Sequence, residues 1–171
     1  MKKLFLFIFI SVFVSQKSYS LIEVDITRGN LDPLPIAVSE LSSDNQTNKN
    51  IKLKYKIDKI GSEISKVVEN NLRMTGLFNP LEKQAFLQKP DIAHIKPRFE
   101  DWKLIKAQAL ITGKVLLSDE KLRVEFRLWD VLAGREMLAL AFTTVPNNWR
   151  RIGHIISDKI YERLTGEKGY F

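Results

Sequence analysis

The longest regular stretch of this chain, residues 108–145, reads QALITGKVLLSDEKLRVEFRLWDVLAGREMLALAFTTV. Its first part, residues 108–117, is almost wholly apolar, which is typical of a strand at the centre of a sheet. Residues 121–129 alternate apolar with charged side chains, the period of a strand with one buried and one exposed face. Residues 136–145 are apolar on both faces, and the two connections have the length of hairpin loops. The stretch therefore predicts a three-stranded antiparallel meander.

The alternation in the middle strand assigns its side chains to two faces. The core face takes Leu122, Val124, Phe126 and Leu128, and the exposed face takes Lys121, Arg123, Glu125 and Arg127.

Two long helices are predicted on either side of the meander in the sequence. Residues 55–75 carry apolar side chains at helical spacing, and Gly76 suits the end of that helix. Residues 149–164 repeat this spacing between Asn147 or Asn148, either of which suits an N-cap, and Thr165-Gly166. The first stripe comprises Ile57, Ile60, Ile64, Val67, Val68 and Leu72, and the second comprises Trp149, Ile152, Ile156, Ile160 and Leu164.

Shorter elements complete the domain. Residues 34–38 predict a buried strand, and residues 77–81 predict an edge strand because Pro80 has no backbone N–H. Residues 42–50 read as a polar loop and residues 87–97 as irregular. Residues 99–107 predict a short helix that offers Phe99, Trp102, Leu104 and Ile105 to the core. We expect residues 34–166 to form one α/β domain, with a mixed sheet of about five strands packed by two long helices and one short helix.

The N-terminus has the features of an export signal. Lys2 and Lys3 precede an apolar run over residues 4–14, and Ser20 closes a short polar region. The alternative is an uncleaved membrane anchor, but spanning a bilayer takes about 20 apolar residues. We therefore expect cleavage between Ser20 and Leu21, export to the periplasm and no stable membrane insertion afterwards. The chain has no cysteine, so the exported domain cannot rely on disulfides.

The segment at residues 21–33 alternates apolar and polar side chains before a turn. Ile22, Val24 and Ile26 would lie on one face of a strand, with Glu23, Asp25 and Thr27 on the other. Such a strand can add to the edge of a partner's sheet, or it can be the ordinary first strand of this domain. Both interpretations remain open from the pattern.

Catalytic and metal-binding patterns are missing from the sequence. His94 and His154 are far apart and lack neighbouring ligand-type residues, so we interpret both as solvated or core-edge histidines. No glycine-rich phosphate loop or nucleophile motif is present, and neither catalytic residues, a metal site nor a cofactor is expected. Removal of the leader lowers the net charge from +7 to +4, which is too diffuse to predict nucleic-acid binding. An exported domain of this kind is most simply a binding module.

Five segments in order resemble the N-terminal domain of the TolB family. The first two segments lie near the expected mature start and comprise residues 24–29 and Pro35-Ile36-Ala37-Val38. TGLFNPL at residues 75–81 follows the first long helix, and AQALITGKV at residues 107–115 opens the meander. The last segment, residues 149–171, reads WRRIGHIISDKIYERLTGEKGYF and shows the aromatic-Arg start, the Gly-His and the LTG close of the family.

The resemblance implies a non-enzymatic periplasmic component of the Tol–Pal system, which maintains the outer membrane and its constriction at division through protein–protein contacts. Family members carry a β-propeller after this domain, and the propeller binds Pal. The mature N-terminus binds the C-terminal domain of TolA. The corresponding partner-binding residues here are Leu21, Ile22, Glu23, Val24, Asp25, Ile26, Thr27, Arg28 and Gly29.

The chain stops at Phe171, about where the propeller of the family begins, and it has no blade repeats. Residues 167–171 are then expected to start a linker to a missing propeller, and Pal binding is in doubt. The leading hypothesis is an adaptor that recruits TolA. The alternatives are a periplasmic ligand-binding protein or hydrolase with a site in a cleft of the sheet, and a non-functional truncated remnant.

Overall fold

The computed structural model describes residues 22–24, 32–43, 57–118 and 121–171. Its strands are β1 (Leu34–Val38), β2 (Ser42–Ser43), β3 (Phe78–Pro80), β4 (Ala109–Ser118), β5 (Lys121–Asp130) and β6 (Arg135–Thr144). Its α-helices are α1 (Ile57–Met74), α2 (Pro90–Ala93), α3 (Phe99–Leu104) and α4 (Trp149–Thr165), with 3-10 turns at Lys83–Ala85 and Pro146–Asn148. These elements form the single α/β domain that the sequence predicts.

One mixed sheet organises the domain, in the order β3-β1-β4-β5-β6. β1 runs parallel to both β3 and β4, whereas β4, β5 and β6 form the predicted antiparallel meander. β3 lies at one edge, as Pro80 requires, and β6 lies at the other. The short β2 pairs in parallel with β4, so the loop prediction is wrong for Ser42 and Ser43. The rest of that predicted loop, residues 44–50, lies outside the described residues.

α1 and α4 cover one face of the sheet and enclose the larger core. The core face of β5 is as predicted, with Leu122, Val124, Phe126 and Leu128 buried. The described part of the α1 stripe (Ile60, Ile64, Val67, Val68, Leu72) and most of the α4 stripe (Ile152, Ile156, Ile160, Leu164) are also buried, whereas Trp149 is half-buried. Residues 55 and 56 and the side chain of Ile57 lie outside the described residues.

Two glycines allow the helices to approach closely. A Cβ at Gly61 on α1 would overlap the backbone carbonyl of Leu41, and one at Gly153 on α4 would lie 2.8 Å from Val67 Cγ1. Their lack of a side chain therefore sets how near α1 lies to the sheet and to α4.

A smaller core lies on the opposite face of the sheet, under α2 and α3. Trp102 is 1% exposed there and packs with Ala93, Leu110 and Val131. The prediction is wrong for Leu104, which is 74% exposed at the end of α3. The irregular segment predicted at residues 87–97 is also wrong in part, because residues 90–93 form the one-turn helix α2.

α4 begins and ends where the sequence indicates. Asn148 occupies the N-cap position, but its side chain makes no capping hydrogen bond, and the preceding turn beginning at Pro146 leads into the helix instead. Gly166 ends α4 in the left-handed conformation with φ 77°.

The last residues of the chain pack back onto α4. The Phe171 N–H donates to Asp158 Oδ1 (2.9 Å), and the rings of Tyr170 and Phe171 lie 5.5 and 6.1 Å from the ring of Tyr161. Burial raises the pKa of the Tyr161 hydroxyl above its ordinary value.

Candidate partner-binding site

The predicted partner-binding segment is described at Ile22, Glu23 and Val24. The Val24 N–H donates to the carbonyl oxygen of Leu164 at the C-terminal end of α4 (2.7 Å). Val24 is 9% exposed and belongs to the larger core, Ile22 packs against that core half-buried, and Glu23 is exposed. The other residues of the predicted segment, and the cleavage site with it, lie outside the described residues: Ser20, Leu21, Asp25, Ile26, Thr27, Arg28 and Gly29.

This segment borders an open groove of about 530 Å³ between α4 and β6, which we call the inner groove. The lining residues are Ile22, Glu23, Leu138, Leu140, Lys159, Glu162, Arg163 and Gly166. Lys159 Nζ lies 2.8 Å from Glu162 Oε2, and its hydrogen bond lowers the pKa of that carboxyl. The Arg163 Nε–H donates to the carbonyl oxygen of Met137 (3.2 Å) and so ties α4 to β6.

A second groove, the outer groove, lies on the other face of the same strands. It measures about 440 Å³, and its wall is formed by His94 and Ile95, just after α2. Its charged lining residues are Lys114, Arg123, Arg127 and Glu125, and β6 contributes Ala139, Leu140 and Ala141.

Ion pairs hold the cations of the outer groove in place. Glu125 accepts a hydrogen bond from Arg123 Nε (2.8 Å), and Lys114 Nζ lies 3.7 Å from its carboxylate. The Arg123 hydrogen bond is the largest cause that lowers the pKa of Glu125, and Lys114 adds to it. Arg127 pairs with Glu136 (3.2 Å) and donates from Nη1 to the carbonyl oxygen of His94 (3.1 Å).

The two histidines are half-buried at different places. His94 Nδ1 lies 3.2 Å from Ser42 Oγ, at one side of the outer groove. His154 Nδ1 lies 3.0 Å from Asn71 Nδ2, between α1 and α4, and the same amide donates to Ser157 Oγ (3.0 Å). Each histidine thus contacts a polar side chain at the edge of a packed region, as expected for core-edge histidines.

Across the described ranges, no three His, Cys, Asp or Glu side chains come together as a metal ion would need. None of the helices in that part of the chain is long and apolar enough to cross a membrane.

The family profile described as the TolB amino-terminal domain matches residues 22–137. The chain belongs to the TolB amino-terminal domain family. Over 160 residues it is 72% identical to the Tol-Pal system protein TolB of Pelagibacter ubique (strain HTCC1062), covering 94% of this chain and 36% of that protein. The chain thus spans about a third of the length of this TolB relative.

One solved structure of TolB shares the fold of this chain. The crystal structure of TolB from Acinetobacter baumannii matches with a TM-score of 0.63 at 21% identity, over 87% of this chain and 32% of that one. The C-terminal domain of LpoB from Escherichia coli gives a TM-score of 0.46 at 12% identity, over 68% of this chain and 86% of that one. The first match supports the fold, and the second is too distant to carry an argument.

The outer groove of this TolB amino-terminal domain was missed at the level of sequence. The alternation in β5 places Arg123, Glu125 and Arg127 on the exposed face correctly. The sequence does not show which residues of β5 and β6 lie opposite each other. The structure places Glu125 opposite Ala141 and Arg127 opposite Ala139. The sequence feature that could have indicated this groove is the pair Ala139 and Ala141, two residues apart on β6, next to the charged face of β5.

Proposed function

We propose that this chain is a non-enzymatic periplasmic adaptor of the Tol–Pal system. The observation that carries the proposal is the 72% identity to a protein named as the TolB component of that system. In this role the domain maintains outer-membrane integrity, and constriction at division, through contacts with other proteins. Export through the leader at residues 1–20 would bring the domain to the periplasm.

The proposed partner is the C-terminal domain of TolA, bound by residues 21–29 as an added strand. Support comes from the apolar–polar alternation of this segment and from the exposure of Glu23 within it. The family resemblance places Pal binding on a propeller rather than on this domain. We also treat residues 167–171 as the start of a connection to such a propeller.

The test is a calorimetric titration of residues 21–171 with the TolA C-terminal domain, beside a chain that starts at Pro33. We expect the longer chain to bind and the shorter one to lose binding. Binding by both would contradict the placement of the contact in residues 21–29, and binding by neither, with both folded, would contradict the adaptor role itself.

A point variant sharpens this test. Val24 is part of the larger core, so Val24→Asp would disturb the fold as well as the contact. Ile26→Asp is therefore the variant of choice, with Glu23→Gln as the matched control on the other face of the same segment. We expect Ile26→Asp to remove TolA binding and Glu23→Gln to keep it within about threefold.

A further inference from the structure

β6 presents a long edge of the sheet. All of its ten residues except Met137 pair with β5 on one side, and no strand in the described part of the chain pairs with the other side. Of its carbonyl groups, that of Met137 accepts a side-chain hydrogen bond from Arg163. Such an edge offers backbone N–H and C=O groups to an incoming strand.

The two grooves flank this edge on opposite faces of the sheet. Ala139 and Ala141 border the outer groove, and Leu138 borders the inner one. Because successive side chains of a strand point to opposite faces, a strand added beside β6 would send its side chains alternately into the two grooves. The placement of the grooves on opposite faces of the sheet therefore suits recognition of an added strand.

The outer groove favours acidic side chains. Its three cations, Lys114, Arg123 and Arg127, outnumber the two carboxylates that pair with them, Glu125 and Glu136. Ala139 and Ala141 are the β6 residues opposite Arg127 and Glu125, so short side chains separate these β5 residues from the edge at both positions, while Glu136 of β6 reaches Arg127 from one side (3.2 Å). Strands lie about 4.8 Å apart, so a glutamate on an added strand and an arginine on β5 can meet across one alanine.

The inner groove favours apolar side chains. Leu138 and Leu140 are half-buried on the core face of β6, and the groove continues to Ile22. Lys159 and Glu162 pair with each other at its rim, which leaves that side without excess charge. Apolar side chains placed here would complete the burial of the two leucines.

We propose that β6 is the docking edge for an extended segment of a partner protein in which acidic and apolar residues alternate. The acidic residues face Arg127 across Ala139 and Arg123 across Thr143, and the apolar residues face Leu138 and Leu140. A second copy pairing through its own β6 would bring alanines rather than carboxylates to this face, which already has one more cation than carboxylates. The inference does not rest on the proposed function, in which residues 21–29 donate a strand rather than receive one.

The test uses a short synthetic peptide that alternates glutamate and valine, with hydrogen exchange of the purified protein as the readout. We expect the peptide to slow amide exchange in Arg135–Thr144, and added salt to weaken its binding. A peptide with lysine in place of glutamate should bind at least about tenfold more weakly. N-methylation of alternate peptide residues along the pairing edge should remove the binding.

A charge variant tests the outer groove directly. We expect the double variant Lys114→Gln with Arg123→Gln to bind the glutamate peptide about tenfold more weakly. The matched control, Arg150→Gln with Arg151→Gln, removes two cations at the start of α4 and should leave the affinity unchanged.

Three results would overturn the proposal. The first is absence of binding, or binding without protection of β6. The second is equal affinity for the glutamate and lysine peptides. The third is protection of β6 that grows with protein concentration alone, because this would make a second copy the occupant, for instance through residues 21–29, which have the same alternation.

Discussion

Gln88 ties together the segment between β3 and α3 through its side-chain amide. It is 3% exposed; its Nε2 donates to the Lys96 carbonyl oxygen (2.9 Å), and its Oε1 accepts from the Arg98 N–H (2.9 Å) and from Trp102 Nε1 (3.1 Å). One side chain thus satisfies three otherwise unpaired groups around the smaller core. This role could not be predicted from the sequence, because a lone glutamine in a polar segment has no periodic pattern.

Replacing Gln88 by leucine should destabilise the domain. The change leaves two donors and one acceptor without their partner, which we expect to lower the free energy of unfolding by about 3 kcal/mol. Urea denaturation measures the change, and Leu87→Ala at the exposed neighbouring position is the control. A loss below about 1 kcal/mol for Gln88→Leu would mean that water replaces the amide.

Glu125 gives the stability of the domain a pH dependence. Its pKa is lowered in the folded protein, chiefly by the Arg123 hydrogen bond, so its stabilising contribution is present above the ordinary glutamate range. The contribution is lost as pH falls through the lowered pKa, where the carboxylate takes up a proton. Glu125→Gln should therefore cost about 0.5 kcal/mol of unfolding free energy at pH 7 and nothing at strongly acidic pH.

The test is to measure the unfolding free energy of the unchanged protein and of Glu125→Gln from pH 7 to strongly acidic pH. A difference between the two that stays constant down to strongly acidic pH would contradict the role of the ionised carboxylate. Glu100→Gln, whose partner Lys103 lies on the solvated side of α3, is the control for loss of an exposed charge.

The helices and strands were more readily predicted than the contacts between them. Periodicity located α1, α4 and β5, which each bury one stripe or face, while continuous apolar runs located β1, β4 and β6. It placed Leu104 in the core wrongly, since α3 ends there and the next residues turn away. It could not find β2 either, because two serines beside β4 are held by tertiary pairing rather than by their own preference.

The contact between α1 and α4 depends on Gly153. Gly153→Ala would place a methyl group 2.8 Å from Val67 Cγ1 and 2.9 Å from Val67 Cβ. We expect a loss of about 2 kcal/mol in unfolding free energy, despite the better helix propensity of alanine.

A double-mutant cycle measured by urea denaturation tests this explanation. Val67→Ala removes the nearer obstructing atom, Cγ1, and keeps Cβ at 2.9 Å, so the combined variant should lose somewhat less stability than the two single variants together. Additive losses would mean that the helices adjust without contact between these two positions.

For the molecule as a whole, α4 is the element on which distant parts of the chain meet. Val24 binds its C-terminal carbonyl at Leu164, Arg163 reaches β6, and Asp158 holds Phe171. The sequence predicted α4 and the alternation near Val24, but the tail had no pattern that placed it. The position of the tail depends on Tyr161 and Asp158 of α4. Helical periodicity places these two residues on the helix but does not show what they contact.

Asp158→Ala should release the tail while leaving the domain folded. The Phe171 N–H loses its carboxylate acceptor, and we expect its amide exchange to accelerate, with a loss of about 1 kcal/mol in unfolding free energy. Hydrogen exchange measures the first effect and thermal denaturation the second. Lys159→Ala on the adjacent exposed turn is the control, and unchanged exchange at Phe171 would show that the aromatic contacts alone hold the tail.

The attachment of both Val24 and Phe171 to α4 has a mechanical consequence. A pulling force applied between these two residues would be transmitted mainly through one helix and its side chains. The ladder between β4, β5 and β6 would remain outside the line of load. The sheet would bear this load only after one of the two end contacts breaks, the Val24–Leu164 or the Asp158–Phe171 hydrogen bond, because the chain between these residues runs through it.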